Sequence, residues 1–145
     1  MGNDSTISTV LPSFVSPAAL LEAIYNKLPD MVFLFDVKER KFVLRNPALD
    51  QMLGFANLED HAINCISLRS LIHAEDWKPI QNAIRQLESQ EKDSIEIECR
   101  CLDVSQQYQY FNTRLSIFEK IENEVIFLIG IAQNITGKKK IEQQS

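Results

Sequence analysis

VIFLIGIA, Val125 to Ala132, and MVFLFDV, Met31 to Val37, decide how this chain folds. In both runs apolar side chains occupy the two alternating faces of an extended segment, and a strand that is apolar on both sides belongs near the middle of a sheet covered on both faces. The neighbouring runs read differently. Phe42 to Arg45 is a short extended run joined to the first by the charged turn Lys38 to Lys41. Further on, Ile95, Ile97, Cys99 and Cys101 alternate with Glu96, Glu98 and Arg100, the period-two pattern of a strand with one wet face. Tyr108 to Phe118 is a partly polar run that an Asn123-Glu124 turn joins to Val125. Strands with charge at alternate positions tolerate a sheet rim. The first and last strands are therefore expected side by side at the centre, with Phe42 to Arg45 and Ile95 to Cys101 outermost. The fold class is α+β, a five-stranded antiparallel sheet of order 2-1-5-4-3.

The helices follow from capping and periodicity. Ser16 is an N-cap followed by Pro17 at the first helical position, and Leu20, Leu21, Ile24 and Leu28 recur at helical spacing before Pro29 stops the run. Asn46-Pro47 breaks the first hairpin, and Ala48, Leu49, Met52 and Leu53 predict one or two turns ending at Gly54. Signals are mixed from Phe55 to Ala74. Asp76 is read as the cap of a firmer helix, with Ile80, Ala83, Ile84 and Leu87 on one side and Lys78, Gln81, Arg85 and Glu88 mostly outward. The segment from Asn46 to Gln90 thus crosses one face of the sheet. The other face needs a lid, supplied by Leu20, Leu21 and Ile24 of the opening helix or by the same surface of a second subunit. The expected organisation is a flexible lead-in over 1–15, a flanking helix over 16–28, the domain over 29–136 and the start of a linker helix over 137–145.

Bulk composition narrows the function. At 145 residues and 45% hydrophobic, the chain has material for one core. A net charge of -5 argues against nucleic-acid or anionic-membrane partners, because an acidic chain offers neither any general attraction. The three cysteines, Cys65, Cys99 and Cys101, form no zinc pattern. Positions i and i+2 of a strand do not normally bridge, so all three are read as reduced and the compartment as cytoplasmic. No run approaches the roughly 20 apolar residues of a membrane span, and Met1 to Val10 lacks the pattern of a signal peptide.

Four marks in order carry a family resemblance: LPDMVFLFDV from Leu28 to Val37; Asn46 and Ala48 followed by Leu53, Gly54 and Phe55; HAEDW from His73 to Trp77; and IGIAQNITGKKKIEQQ from Ile129 to Gln144. Together they resemble the PAS family with its closing PAC motif, over most of the chain. The resemblance implies a sensory or dimerisation module cut from a multidomain bacterial signalling protein, such as a sensor histidine kinase or a cyclic-dinucleotide synthase or hydrolase. It also implies no chemistry in this segment, a helical strip over a small space, and a signal leaving through Asn134, Ile135 and Thr136. The implied partners are a small-molecule ligand, a second copy paired through the opening helix and outer sheet face, and a downstream effector domain. The rival readings are a cofactor-bearing light or redox sensor and a purely structural interaction domain. Asn134 stands where the family has Asp, and Gly137 replaces an acidic residue. The exit helix then starts with Gly and three lysines, which oppose its dipole, so it is expected to order only with its continuation or a second copy.

The ligand-pocket candidates are Phe33, Phe35, Asn46, Met52 and Cys65 in the first half, and Trp77, Ile84, Asn112, Arg114 and Ile129 in the second. Asn112 and Arg114 share one face of their strand, either the concave pocket or the outer surface. The outward case is favoured, since Phe111, Thr113, Leu115 and Ile117 make the more apolar face. His73, Glu75 and Asp76 read as helix capping rather than a metal cluster, and His61 as a solvated loop residue. A haem of the family's kind needs a histidine on the helix from Asp76 to Gln90, which has none. INCISL at Ile63 to Leu68 partly resembles the flavin photoreceptor stretch, with Asn64, Cys65 and Asn112 in familiar places. Ile66, Ser67, Arg69 and Ala132 depart from that pattern where the phosphate-clamping and ring-reading residues would stand, so no flavin is expected. Cys99 and Cys101 read as packing. No nucleophile with base and orienter, and no glycine-rich phosphate loop, survives placement on these elements.

Overall fold

A computed structural model describes residues 12–59, 63 and 68–144. Helix α1 (Pro17–Lys27) is capped by Ser16, whose side chain accepts from the Ala19 amide. Strands β1 (Met31–Asp36) and β2 (Lys41–Arg45) form a hairpin, followed by α2 (Pro47–Leu53) and a short turn at Phe55–Asn57. Next come α3 (Leu68–Leu71) and α4 (Ala74–Glu88). The chain closes with β3 (Ser94–Leu102), β4 (Tyr108–Ile121), β5 (Glu124–Asn134) and helix α5 (Thr136–Gln144). The sheet order is β2-β1-β5-β4-β3, every pair antiparallel, as the two-faced runs predict.

Side-chain size sets the registry at the centre. Phe33 lies opposite Gly130, and a Cβ built on Gly130 would come within 2.1 Å of the Phe33 ring. Gly130 is therefore needed for the space it leaves, since its backbone is ordinary strand. Turn chemistry closes the β4–β5 hairpin: Glu122 and Asn123 have φ of 52° and 65°, the pair of positive angles a two-residue hairpin turn requires. The turn is thus one residue earlier than the sequence suggests, and β4 runs on to Ile121.

Asn46 joins three elements. It is wholly buried. Its Oδ1 accepts from the Leu49 amide at 3.2 Å, capping α2, and from the Val32 amide at 2.9 Å. Its Nδ2 donates to the Asp30 carbonyl at 2.9 Å and to the Tyr25 carbonyl at 3.4 Å. All of its bonding capacity is directed to backbone, as burial of an amide demands.

The helices on the inner face put Ile80, Ala83, Ile84 and Leu87 into the core. The cap of α4 corrects the sequence reading: His73 Nδ1 accepts from the Glu75 amide at 3.0 Å, and Asp76 does other work. Its carboxylate takes the Arg100 amide at 2.7 Å and the Arg100 guanidinium at 2.9 Å on each oxygen, tying α4 to β3. Helix α1 also departs from expectation. It contributes no buried residue, and Leu21, Ile24 and Leu28 stay exposed together with Leu44 and Ile131 of the outer sheet face. Its packing is against α2, so the lid over the outer face is not this helix within one chain.

Two stability predictions follow from these contacts. Gly130→Ala forces the Phe33 ring aside and should cost about 1–3 kcal/mol in urea unfolding, with Phe33→Leu in the same chain recovering part of the loss. An unchanged midpoint for Gly130→Ala contradicts the packing. Arg100 holds the Asp76 carboxyl below its ordinary value of 3.8, so the unfolded chain takes up that proton first. The stabilisation is complete above the ordinary value and is lost as pH falls through the lowered folded one. Asp76→Asn should therefore lower stability at neutral pH by about 1–3 kcal/mol and narrow its gap from the parent in acid. A constant gap across the acid titration counts against the pair.

Candidate functional site

Between the sheet and the helices lies a cavity of about 60 Å³. The sheet contributes Met31, Phe33 and Phe35 from β1, Phe42 from β2, Ala132 from β5 and Leu115 with Thr113 from β4. Ile97, Cys99 and Cys101 of β3 form another wall, and Leu49, Leu53, Leu68, Leu71, Ile80 and Ile84 close it from the helices. Among the described residues its lining carries no ionisable carboxylate, amine, guanidinium or imidazole. A charged guest would have no partner there, whereas an apolar one would exchange water for hydrocarbon.

Three sequence candidates line this space: Phe33, Phe35 and Ile84. Phe33 and Phe35 are held edge-on by Phe42, with ring centroids 5.0 and 6.1 Å away. Other candidates stand elsewhere. Asn46 is consumed by its cap and backbone bonds. Met52 packs at the core edge, its carbonyl accepting from the Val104 amide at 2.9 Å. Trp77 packs beside the core under the Arg69 guanidinium, 5.3 Å from its ring, and faces a separate groove with Arg40, Arg85 and Glu88. Ile129 points outward, because Leu128 and Gly130 on either side of it point in, and it pairs across with Leu34 and Ser116. Asn112 and Arg114 are also on the outer face, as the sequence favoured. Asn112 Nδ2 donates to Glu96 at 3.0 Å and Arg114 Nε to Ser94 Oγ at 3.2 Å, so neither serves the cavity. Cys65 and His61 lie outside the described residues.

Sequence reasoning missed Phe42, Thr113, Leu115, Ala132 and the two β3 cysteines as lining residues. Each is findable by stepping in twos along its strand once one inward residue is known. Cys99 and Cys101 are free and buried. The thiol of Cys101 and then the Thr113 hydroxyl draw Cys99 below the ordinary thiol range, against its burial, while the hydrogen bond to Cys99 and then burial push Cys101 up. Among the described residues no three His, Cys, Asp or Glu side chains gather as a metal site.

The exit from the sheet is bonded at every step. Ile135 N donates to the Tyr110 carbonyl at 2.8 Å, Tyr110 N to Thr136 Oγ1 at 2.9 Å and Thr136 N to Asn134 Oδ1 at 2.9 Å. Asn134 thus supplies the acceptor without the charge of an aspartate. The lysine-rich tail, expected to need a continuation, is helical over Thr136–Gln144. Its support comes from the sheet, since Lys139 Nζ reaches Glu98 at 2.8 Å.

A family model described as the PAS fold matches residues 42–132. No curated protein matches the chain. Among solved structures it is similar to the PAS domain of a protein from Colwellia psychrerythraea, with 11% identity, a TM-score of 0.68, and 84% of this chain and 99% of that one covered. A sensory box histidine kinase/response regulator from Burkholderia thailandensis is similar at 14% identity and TM-score 0.63, covering 86% of this chain and 90% of that one. An RNA-binding light-oxygen-voltage receptor is similar at 17% identity and TM-score 0.69; the match takes in 92% of this chain but only 38% of the receptor. With the family match spanning the greater part of the sequence and the sheet order that the central strands dictate, this chain belongs to the PAS fold family.

Proposed function

We propose that this chain is the non-catalytic sensory module of a multidomain bacterial signalling protein, of the histidine kinase or cyclic-dinucleotide enzyme kind, working on the cytoplasmic side. It takes a small uncharged apolar molecule between sheet and helices and passes the result through Asn134, Ile135 and Thr136 to a downstream effector. The observation that carries this reading is the cavity itself, lined by hydrocarbon from every inner element. Its volume of about 60 Å³ keeps the guest small. The reading includes neither flavin nor haem. Pockets for drug-sized ligands start near ~300 Å³, Ala132 offers no amide to a flavin ring, and α4 carries no histidine.

The same reading includes a second copy. Val32, Leu34, Ile129 and Ile131 stand together on the outer face, with Leu44 beside them, and Leu44 and Ile131 are 50% and 45% exposed. The open stripe of α1, Leu21, Ile24 and Leu28, offers more apolar surface. Exposed apolar area of this kind is what a partner surface covers. No helix among the described residues is long and apolar enough to cross a membrane, so a bilayer-spanning role does not account for the stripe.

Titrating benzene into the labelled chain should shift the amide resonances of β1, β3 and β5, and benzoate should not. Ala132→Leu, which fills the space, should weaken benzene binding about tenfold or more, and a purified chain with only protein absorbance belongs to the same expectation. A silent titration, or a visible chromophore, removes the apolar-ligand reading. For the pairing, light scattering should give twice the chain mass for the parent and a single chain mass for Ile131→Glu. A monomeric parent rejects the outer face as a self-contact.

A further inference from the structure

Cys99 and Cys101 leave β3 two residues apart, so both thiols stand on the cavity side, at 6% and 8% exposure. Thr113 on the adjacent strand places its Oγ1 4.0 Å from Cys99 Sγ. Packing accounts for a single small buried cysteine. It does not account for the cavity's S–H and O–H groups all gathering on the two adjacent strands β3 and β4, among the described residues, while the remaining lining is hydrocarbon and one thioether. The Cys101 thiol and the Thr113 hydroxyl both draw Cys99 down against its burial, so hydrogen-bonding groups stand beside this sulfur.

Spacing selects the chemistry. Two extended residues at about 3.4 Å each put the Cα atoms about 6.8 Å apart, at the far end of the roughly 4.4–6.8 Å range that a disulfide spans. A direct S–S bond would strain the strand, whereas a bridge through one added atom reaches further. Zinc takes four ligands, more than two thiolates supply, and no third ligand from His, Cys, Asp or Glu gathers there among the described residues. A bridging centre that is satisfied by two sulfurs, leaves no net charge in an apolar space and carries an organic group matches both wall and void.

We infer that Cys99 and Cys101 form a two-thiol receptor for trivalent organoarsenicals, the organic group lying in the cavity against Ile97, Leu115 and Ala132. This rests on the cavity being a ligand site. In the reaction the arsenic–oxygen double bond of R–As=O breaks and two As–S bonds form. Both thiol protons leave with the oxygen as one water, and arsenic stays trivalent, so no oxidant or reductant is consumed. The product is a neutral five-atom chain of Cβ–S–As–S–Cβ across one face of β3.

The test uses phenylarsine oxide and the full chain, read by intact-mass spectrometry. One phenylarsenic per chain should survive a large excess of a monothiol and leave with a dithiol. Cys65→Ala should keep the adduct, while Cys99→Ala and Cys101→Ala should each lower its retention about tenfold or more. Cys99→Val and Cys101→Val, checked for a cooperative melt, give the same reading should an alanine variant fail to fold. Retention undiminished in either single variant, or lost in Cys65→Ala, overturns the receptor. Benzene shifts without arsenical retention overturn it while leaving the cavity reading in place; absence of both removes the two together.

Discussion

The first and last strands of the sheet must lie against each other, and the fit of Phe33 over Gly130 is what lets them. A side chain of any size at Gly130 would meet the ring, so the inner face gains an aromatic only because β5 gives up a residue's bulk. The consequence reaches the whole molecule. With β1 and β5 locked at the centre, β2 and β3 become the rims, and the chain between them has to return across one face only. That return encloses the cavity on the inside and leaves the outer face bare. An inner space and an open outer surface are two results of one closure.

Much of this was legible because a strand's neighbours write themselves into its periodicity. The alternation of Ile95, Ile97, Cys99 and Cys101 with Glu96, Glu98 and Arg100 assigns β3 to a rim and tells which side is wet, and the structure agrees residue by residue. The same logic fails for β5. With Val125 to Ala132 apolar on both sides, a period of two cannot say which side is inside, and Ile129, which fits a pocket by its sequence, faces out. Gly130 breaks that symmetry, but its meaning depends on Phe33, nearly a hundred positions away.

Polar residues are ambiguous in sequence where a local role and a distant one fit the same residue type. Asp76 is of a type that favours N-caps, yet it lies in the first turn of α4 behind the His73 cap, and its partner is Arg100, reached only after α4 has turned back onto β3. Asn46 could be imagined lining a pocket, although Asn before Pro at a helix start is itself a cap signature, and every atom of its amide goes to backbone. The stripe of α1 was legible as amphipathic, but helical spacing says only that an apolar side exists. Which surface it meets is a property of packing, and within one chain it meets little.

The geometry also connects this small space to the helix that leaves the sheet. Cys99, in the cavity wall, is the chain neighbour of Glu98, which faces the other way and holds Lys139 of the exit helix. Ala132, also in the wall, is two residues from Asn134, whose side chain caps the entry to that helix. Two strands that line the cavity therefore each have a bonded connection to α5, and β4 between them supplies Tyr110 to the same junction. A guest that spreads β3 from β5 would have to alter at least one of these bonds, since they link the two strands to a single helix. The helix itself is weak in its own right, with Gly137 and three lysines at its start. A segment held mainly by tertiary contacts changes its population when those contacts shift, and the magnitude of any coupling is limited by the differential free energy of those few bonds.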